Sequence, residues 1–212
     1  MMQISGAQWV ALVLLGGSLA CGAWAVDEKP PAALREADRA ALMREAAPLA
    51  RRAIENALER RPQPTDSQLP AALRQRRAGA FVTVMVEGAT RACMGTVSPT
   101  APNLGQEIIA AAVMAAGGDP WHRPLQAADL KRARIEVTVC GAMISIPDWR
   151  CYSPARDGLL VRMGHRTGVV LPGEARTARW AYREACRKAS VRPGQEPELF
   201  RFEALRLVEP QH

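Results

Sequence analysis

A chain of 212 residues with 48% hydrophobic and 23% charged residues has the size and composition of one folded domain with a short extension. That balance excludes a disordered chain, a collagen and a multi-span membrane protein. The formal net charge is +7, but the basic residues are mostly arginines in short clusters such as Arg51-Arg52, Arg60-Arg61 and Arg74-Gln75-Arg76-Arg77, separated by acids or prolines. Nucleic-acid binders concentrate charge on one face or run. A solvated surface of Glu/Arg pairs is therefore the expectation, nucleic acid is not an expected partner, and a basic face toward anionic phospholipid is the weaker alternative.

Residues 1–26 carry no charged side chain, and residues 9–20 (WVALVLLGGSLA) form an apolar run followed by the small residues Ala23 and Ala25. This pattern predicts a signal peptide over residues 1–25, cleaved before Val26, and an exported protein in the periplasm or outside the cell. A second reading stays open. Residues 9–26 are long enough for a thin, uncleaved membrane anchor, and so for N-terminal membrane association, by the criterion of about 17–25 apolar residues. Cys21 is a poor lipoprotein site, because Leu19 stands one place too close to it. Residues 26–40 read as a linker and the start of a first helix, and residues 41–208 as the folded domain.

From Leu34 to Leu58 the apolar residues fall at helical spacing, interrupted by Pro48, which predicts two helices with Pro48 near the start of the second. Residues 60–70 hold three prolines and read as a loop. Phe81-Val82-Thr83-Val84-Met85-Val86, the turn signal Glu87-Gly88 and residues 91–97 predict a β-hairpin. Residues 104–116 form a strong helix pattern stopped by Gly117-Gly118, and Asp129 is placed to cap a short turn. Ile135-Glu136-Val137-Thr138-Val139 alternates as a half-buried strand does. Residues 159–171 read as a second hairpin around Gly164-His165, residues 175–189 as a helix, and residues 199–207 as a closing strand. Strands and helices do not alternate regularly, so the fold class is α+β.

Several of these segments, in order, resemble the AMMECR family, whose bacterial members are the A protein of the AmmeMemoRadiSam set. Gly79-Ala80-Phe81-Val82-Thr83 is similar to the family's first core strand, and Arg91-Ala92-Cys93-Met94-Gly95-Thr96 to its Arg-Gly-Cys-Ile-Gly signature. Further matches are Glu107-Ile108-Ile109, Asp119-Pro120, Pro124-Leu125, Ile135-Glu136-Val137-Thr138-Val139, Asp157-Gly158-Leu159, Leu171-Pro172 and Cys186-Arg187-Lys188-Ala189. The likeness covers roughly residues 49–207. It implies an antiparallel sheet packed with helices and a smaller subdomain, but no defined reaction. The chain departs from the pattern at Ala92, at Trp121-His122 (Arg-Phe in the family) and at Gly173-Glu174 (Gln-Val in the family). The export signal is a further departure, since the family's partners, a Memo-type protein and a radical-SAM enzyme, are expected in the cytoplasm.

Beyond the leader the cysteines are Cys93, Cys140, Cys151 and Cys186, and none has zinc-ligand spacing, so neither a metal nor a cofactor is expected. Outside the cytoplasm thiols tend to pair, and Cys140 and Cys151 enclose a short segment, which predicts a bridge between them. Cys93 lies in the signature strand and is the candidate nucleophile. Arg91 is the candidate anion anchor that also lowers the thiol pKa, Glu136 the carboxylate that orients or deprotonates, and His165 the best-placed imidazole. Each has a plainer reading: Cys93 as a small core residue, Glu136 on the surface, His165 solvated in its turn, and Trp121, Trp149 and Trp180 as packing. Two functions follow. One is thiol-dependent catalysis or small-molecule binding centred on Cys93; the alternative is a non-catalytic protein-binding or scaffold module.

Overall fold

A computed structural model describes residues 36–209 except 118 and 121. The expected signal peptide or anchor, most of the linker, and Trp121 lie outside the described residues. Helix α1 (Glu36–Leu58) is followed by a 3-10 turn (Asp66–Gln68) and the short α2 (Ala71–Arg74). The hairpin β1 (Ala80–Val86) and β2 (Ala89–Gly95) leads to α3 (Leu104–Gly117), α4 (Ala127–Leu130) and the long β3 (Ala133–Ser145). A 3-10 turn (Trp149–Cys151), the hairpin β4 (Asp157–Met163) and β5 (Arg166–Val170), α5 (Ala178–Lys188) and β6 (Glu198–Val208) complete the chain. The six strands form one antiparallel sheet in the order β2-β1-β3-β6-β4-β5.

Helix α1 is continuous, not two helices. Its buried residues Leu42, Ala46, Ala47, Leu49, Ala50, Ala53 and Ile54 run without a break past Pro48. Pro48 itself is exposed, so its ring faces solvent and the carbonyl it leaves without a donor can be hydrated. Packing of the apolar face outweighs the local penalty. Pro48→Ala is therefore expected to stabilise the protein by about 1–3 kcal/mol, read as a rise in the urea midpoint at constant slope.

Alternation along the strands sorts residues onto two faces. Val82, Val84, Ala92, Ile135, Val137 and Leu207 face α1 and α3 and form the main apolar cluster. Helix α5 packs on β4 and β5 and gathers a second, smaller cluster that includes Leu159, Val161, Val170, Ala181 and Ala185. On the other side of the sheet Phe81 and Val97, from the β1–β2 end, meet Leu160 and Leu171, from the β4–β5 end, around Phe202 and Cys140. The cluster runs across β1, β3, β6 and β4 on the inner side of the curled sheet. Part of the bend comes from an irregularity in the β3–β6 pairing, where the register shifts between Cys140 and Met143.

Glu107, on the first turn of α3, is a buried carboxylate with a structural task. Burial opposes its charge, but hydrogen bonds from Thr96, Ala101 and Thr100 outweigh this and hold it below the usual carboxylate range. It pins the segment that leaves β2.

The expected Cys140–Cys151 bridge is not formed, because Cys140 is a free, buried thiol. The reason is the length of β3. The strand does not end at Cys140 but runs on to Ser145, about 16 Å further at strand rise. Cys140 ends up in the cluster under Phe202, whereas Cys151 packs against the α5 cluster.

Candidate functional site

The concave side of the curled sheet carries a row of polar residues. Thr83 of β1 pairs with Cys93 of β2 on one side and with Glu136 of β3 on the other, and paired residues project to the same face. Thr83 and Glu136 are buried, and Cys93 is half-buried. The Thr83 hydroxyl donates to Cys93 Sγ at 3.2 Å. Arg206, on β6, grips Glu136 with two hydrogen bonds, Nη2 to Oε2 at 2.6 Å and Nε to Oε1. Glu136 is thus not a surface residue; it is the acceptor of a forked ion pair.

Strand β2 is a sheet edge, and its outward main-chain donors need partners. Asp119 supplies one: its Oδ2 accepts from Cys93 N–H at 2.8 Å and lies 2.9 Å from His122 Nδ1. The Asp119 side chain is only 4% exposed, while His122 keeps 32% of its side chain in solvent. A buried carboxylate therefore orients a partly open imidazole next to the Cys93 backbone.

The far end of the sheet closes the other side. Lys188 of α5 donates to the Val169 carbonyl at 2.8 Å, and Glu174 accepts from Leu171 N–H at 3.0 Å. Both charges act electrostatically on Cys93. Glu174 is open to solvent yet crowded by the protein around it, and that crowding raises its pKa against the pull of the Leu171 amide and Lys188. Burial likewise pushes the Cys93 thiol up to about 12. The Thr83 hydrogen bond and Lys188 pull the other way, and the carboxylates of Glu174 and Asp119 add to the rise.

The four residues singled out in the sequence are thus only partly brought together. Cys93 and Glu136 share the row through Thr83. Arg91 turns away: its guanidinium donates to the carbonyls of Arg123 (2.6 Å) and Pro124 (2.9 Å) and to Asp129 (3.3 Å), tying β2 to the loop before β3. The register shift between Val84 and Met85 takes Arg91 out of simple alternation with Cys93. His165 is exposed in the tight turn between β4 and β5, separated from the Leu171–Glu174 segment by the length of β5, about 16 Å.

A further concavity of about 820 Å³ opens on the helical side between α1, α4 and the start of β3. Its central charge, Arg51, is committed to Glu209 at 2.5 and 2.6 Å and to the carbonyls of Leu130 and Ala133. This arrangement clamps α1 to the end of the chain. Among the described residues no group of three or more His, Cys, Asp or Glu side chains is placed to hold a metal ion, and no helix is long and apolar enough to cross a membrane.

The model of the AMMECR1 family matches residues 47–207. The chain belongs to the AMMECR1 family. It is 34% identical over 192 residues to a protein of Aeropyrum pernix, covering 82% of this chain and 80% of that one. A Thermotoga maritima protein is 37% identical over 108 residues, which cover 50% of this chain and 62% of the relative. Among solved structures, the uncharacterized protein PH0010 from Pyrococcus horikoshii is similar with a TM-score of 0.66 and 27% identity, over 77% of this chain and 89% of that one. The α+β class, the antiparallel sheet and the AMMECR1 membership expected from the sequence are therefore in place.

Thr83, Asp119, His122, Glu174, Lys188 and Arg206 were not among the residues singled out. The Asp119-x-x-His122 spacing was the one local signal available. In the sequence His122 and Glu174 stand out only as departures from the AMMECR1 pattern.

Proposed function

We propose that this AMMECR1 domain binds a small molecule non-covalently at the polar row around Cys93, with the sulfur acting as a neutral thiol and not as a nucleophile. The observation that carries this reading is the setting of Cys93. It accepts a hydrogen bond from Thr83, stands beside the cluster of Phe81, Leu171 and Phe202, and faces two carboxylates against one ammonium. An activated thiol needs the opposite balance: nearby cations, a helix N-terminus or an imidazole in contact. Glu174 and Asp119 favour a ligand that offers hydrogen-bond donors, and the apolar cluster favours one with a hydrocarbon part. Export from the cytoplasm belongs to the same proposal and would expose this row to extracytoplasmic solutes.

A second reading draws on the Asp119–His122 pair. A carboxylate that fixes one imidazole nitrogen leaves the other for proton transfer, which would make the site an acid–base centre.

One experiment separates the two from thiol catalysis. Alkylation of the native protein with iodoacetamide is followed across pH, with peptide mapping to isolate Cys93. At pH 7 the rate is expected to lie on the order of a thousandfold below that of a free cysteine, whose pKa is about 8.5. Because the thiolate is the reactive form and its pKa is raised, the rate should climb tenfold per pH unit through pH 10 without a plateau. A plateau below pH 8.5 would return Cys93 to the role of nucleophile. An inflection in the imidazole range would instead favour the Asp119–His122 reading.

A further inference from the structure

Helix α5 has two unlike faces. Ala181, Ala185 and, beyond its end, Ala189 are fully buried against β4 and β5. At 100° per residue Arg179, Trp180, Arg183 and Arg187 fall together on the opposite side. Trp180 is 51% exposed, so it does not serve the packing role expected of it. Arg176, just before the N-cap Thr177, is exposed at the same end. Arg187 is bonded to Glu184 at 2.6 and 2.8 Å, but Arg176, Arg179 and Arg183 have no acidic partner among the described residues.

From this arrangement we infer that the outer face of α5 is a docking surface for an anionic phospholipid bilayer. Three arginines without counter-ions are complementary to a layer of lipid phosphates, each adding to attraction that fades within a Debye length. The single indole among them is the side chain that settles at headgroup depth, with its ring in the hydrocarbon boundary and its N–H in water. Single-stranded nucleic acid would call for a series of stacking rings along a basic groove, whereas this face offers one ring on a convex helix. The row around Cys93 takes no part in the inference.

The test uses the full chain, sedimented with vesicles of phosphatidylcholine alone or mixed with phosphatidylglycerol. Binding is expected only to the anionic vesicles and should weaken as salt is raised. The double variant Arg179→Gln/Arg183→Gln should lose about tenfold or more in apparent affinity. Trp180→Ala should also weaken binding, with thermal midpoints unchanged because these side chains point into solvent. Equal binding to both vesicle types, or binding untouched by the variants, would assign the affinity to another part of the chain and overturn the inference. Retention of a single-stranded oligonucleotide by the native chain, lost in the double variant and without vesicle binding, would overturn it in favour of nucleic acid.

Discussion

Gly168→Val is expected to leave the domain unable to reach its native state at 37 °C. A Cβ at Gly168 would lie 1.9 Å from the carbonyl oxygen of Ala185 and 2.8 Å from the amide nitrogen of Ala189. Both atoms belong to the backbone around the end of α5, so no rotamer change relieves the clash. Either α5 must lift off β5 or the strand must bend, and both moves open the cluster of Val170, Ala181 and Ala185. The loss should exceed about 4 kcal/mol, a large part of the 5–15 kcal/mol that holds a typical domain together. Gly164→Ala supplies the contrast: its φ of +62 is unfavourable for alanine, but nothing stands within 4 Å of the new Cβ. That variant should lose about 1 kcal/mol. Urea unfolding followed by near-UV circular dichroism distinguishes the two, and a Gly168→Val midpoint equal to that of Gly164→Ala would refute the close helix–strand contact.

Local chemistry made the elements readable where it had no competitor. Glu87 and Gly88, both at positive φ (52° and 82°), form the tight turn that the sequence marked between two β-rich runs. The apolar face of residues 104–116 and the following glycines gave α3 almost to the residue. Pro48 misled because a rule about single residues was set against seven buried neighbours, and the packing of seven wins. The end of β3 misled for the opposite reason. Gly141 resembles a strand terminus, whereas here it sits at a register shift through which the strand continues.

The site was legible only along the strands. Cys93 and Glu136 were found because each stands in a recognisable β segment, but the residue joining them, Thr83, had no feature of its own. Asp119, His122, Glu174 and Lys188 come from two loops and a helix. Asp119 reaches Cys93 across the open edge of β2, and Glu174 and Lys188 act on it from the opposite end of the sheet, long-range relations that strand periodicity does not register. Arg91 shows the same limit. Strict strand alternation would put it on the face of Cys93, but one shifted pair in the β1–β2 register sends its guanidinium to Asp129 instead.

The curl itself can be tested through Phe202 and Gly158, which face each other across β6 and β4. Phe202 is fully buried, and a Cβ on Gly158 would come within 2.2 Å of its Cζ. The outer end of the ring covers a strand position kept empty, an aromatic-over-glycine contact. Because Phe202 also pairs with Met143 just past the β3 irregularity, its ring fills the bend that lets Phe81 and Leu171 share one cluster. Phe202→Ala should cost about 3–5 kcal/mol as a cavity, and Gly158→Ala about 1–3 kcal/mol as overpacking. The informative measurement is the combination. With the ring gone, the alanine methyl enters vacated space, so the double variant should be less destabilised than the sum of the two by about 1–3 kcal/mol. Strict additivity in urea midpoints would mean that ring and glycine do not touch, and the packing assigned to the bend would be wrong.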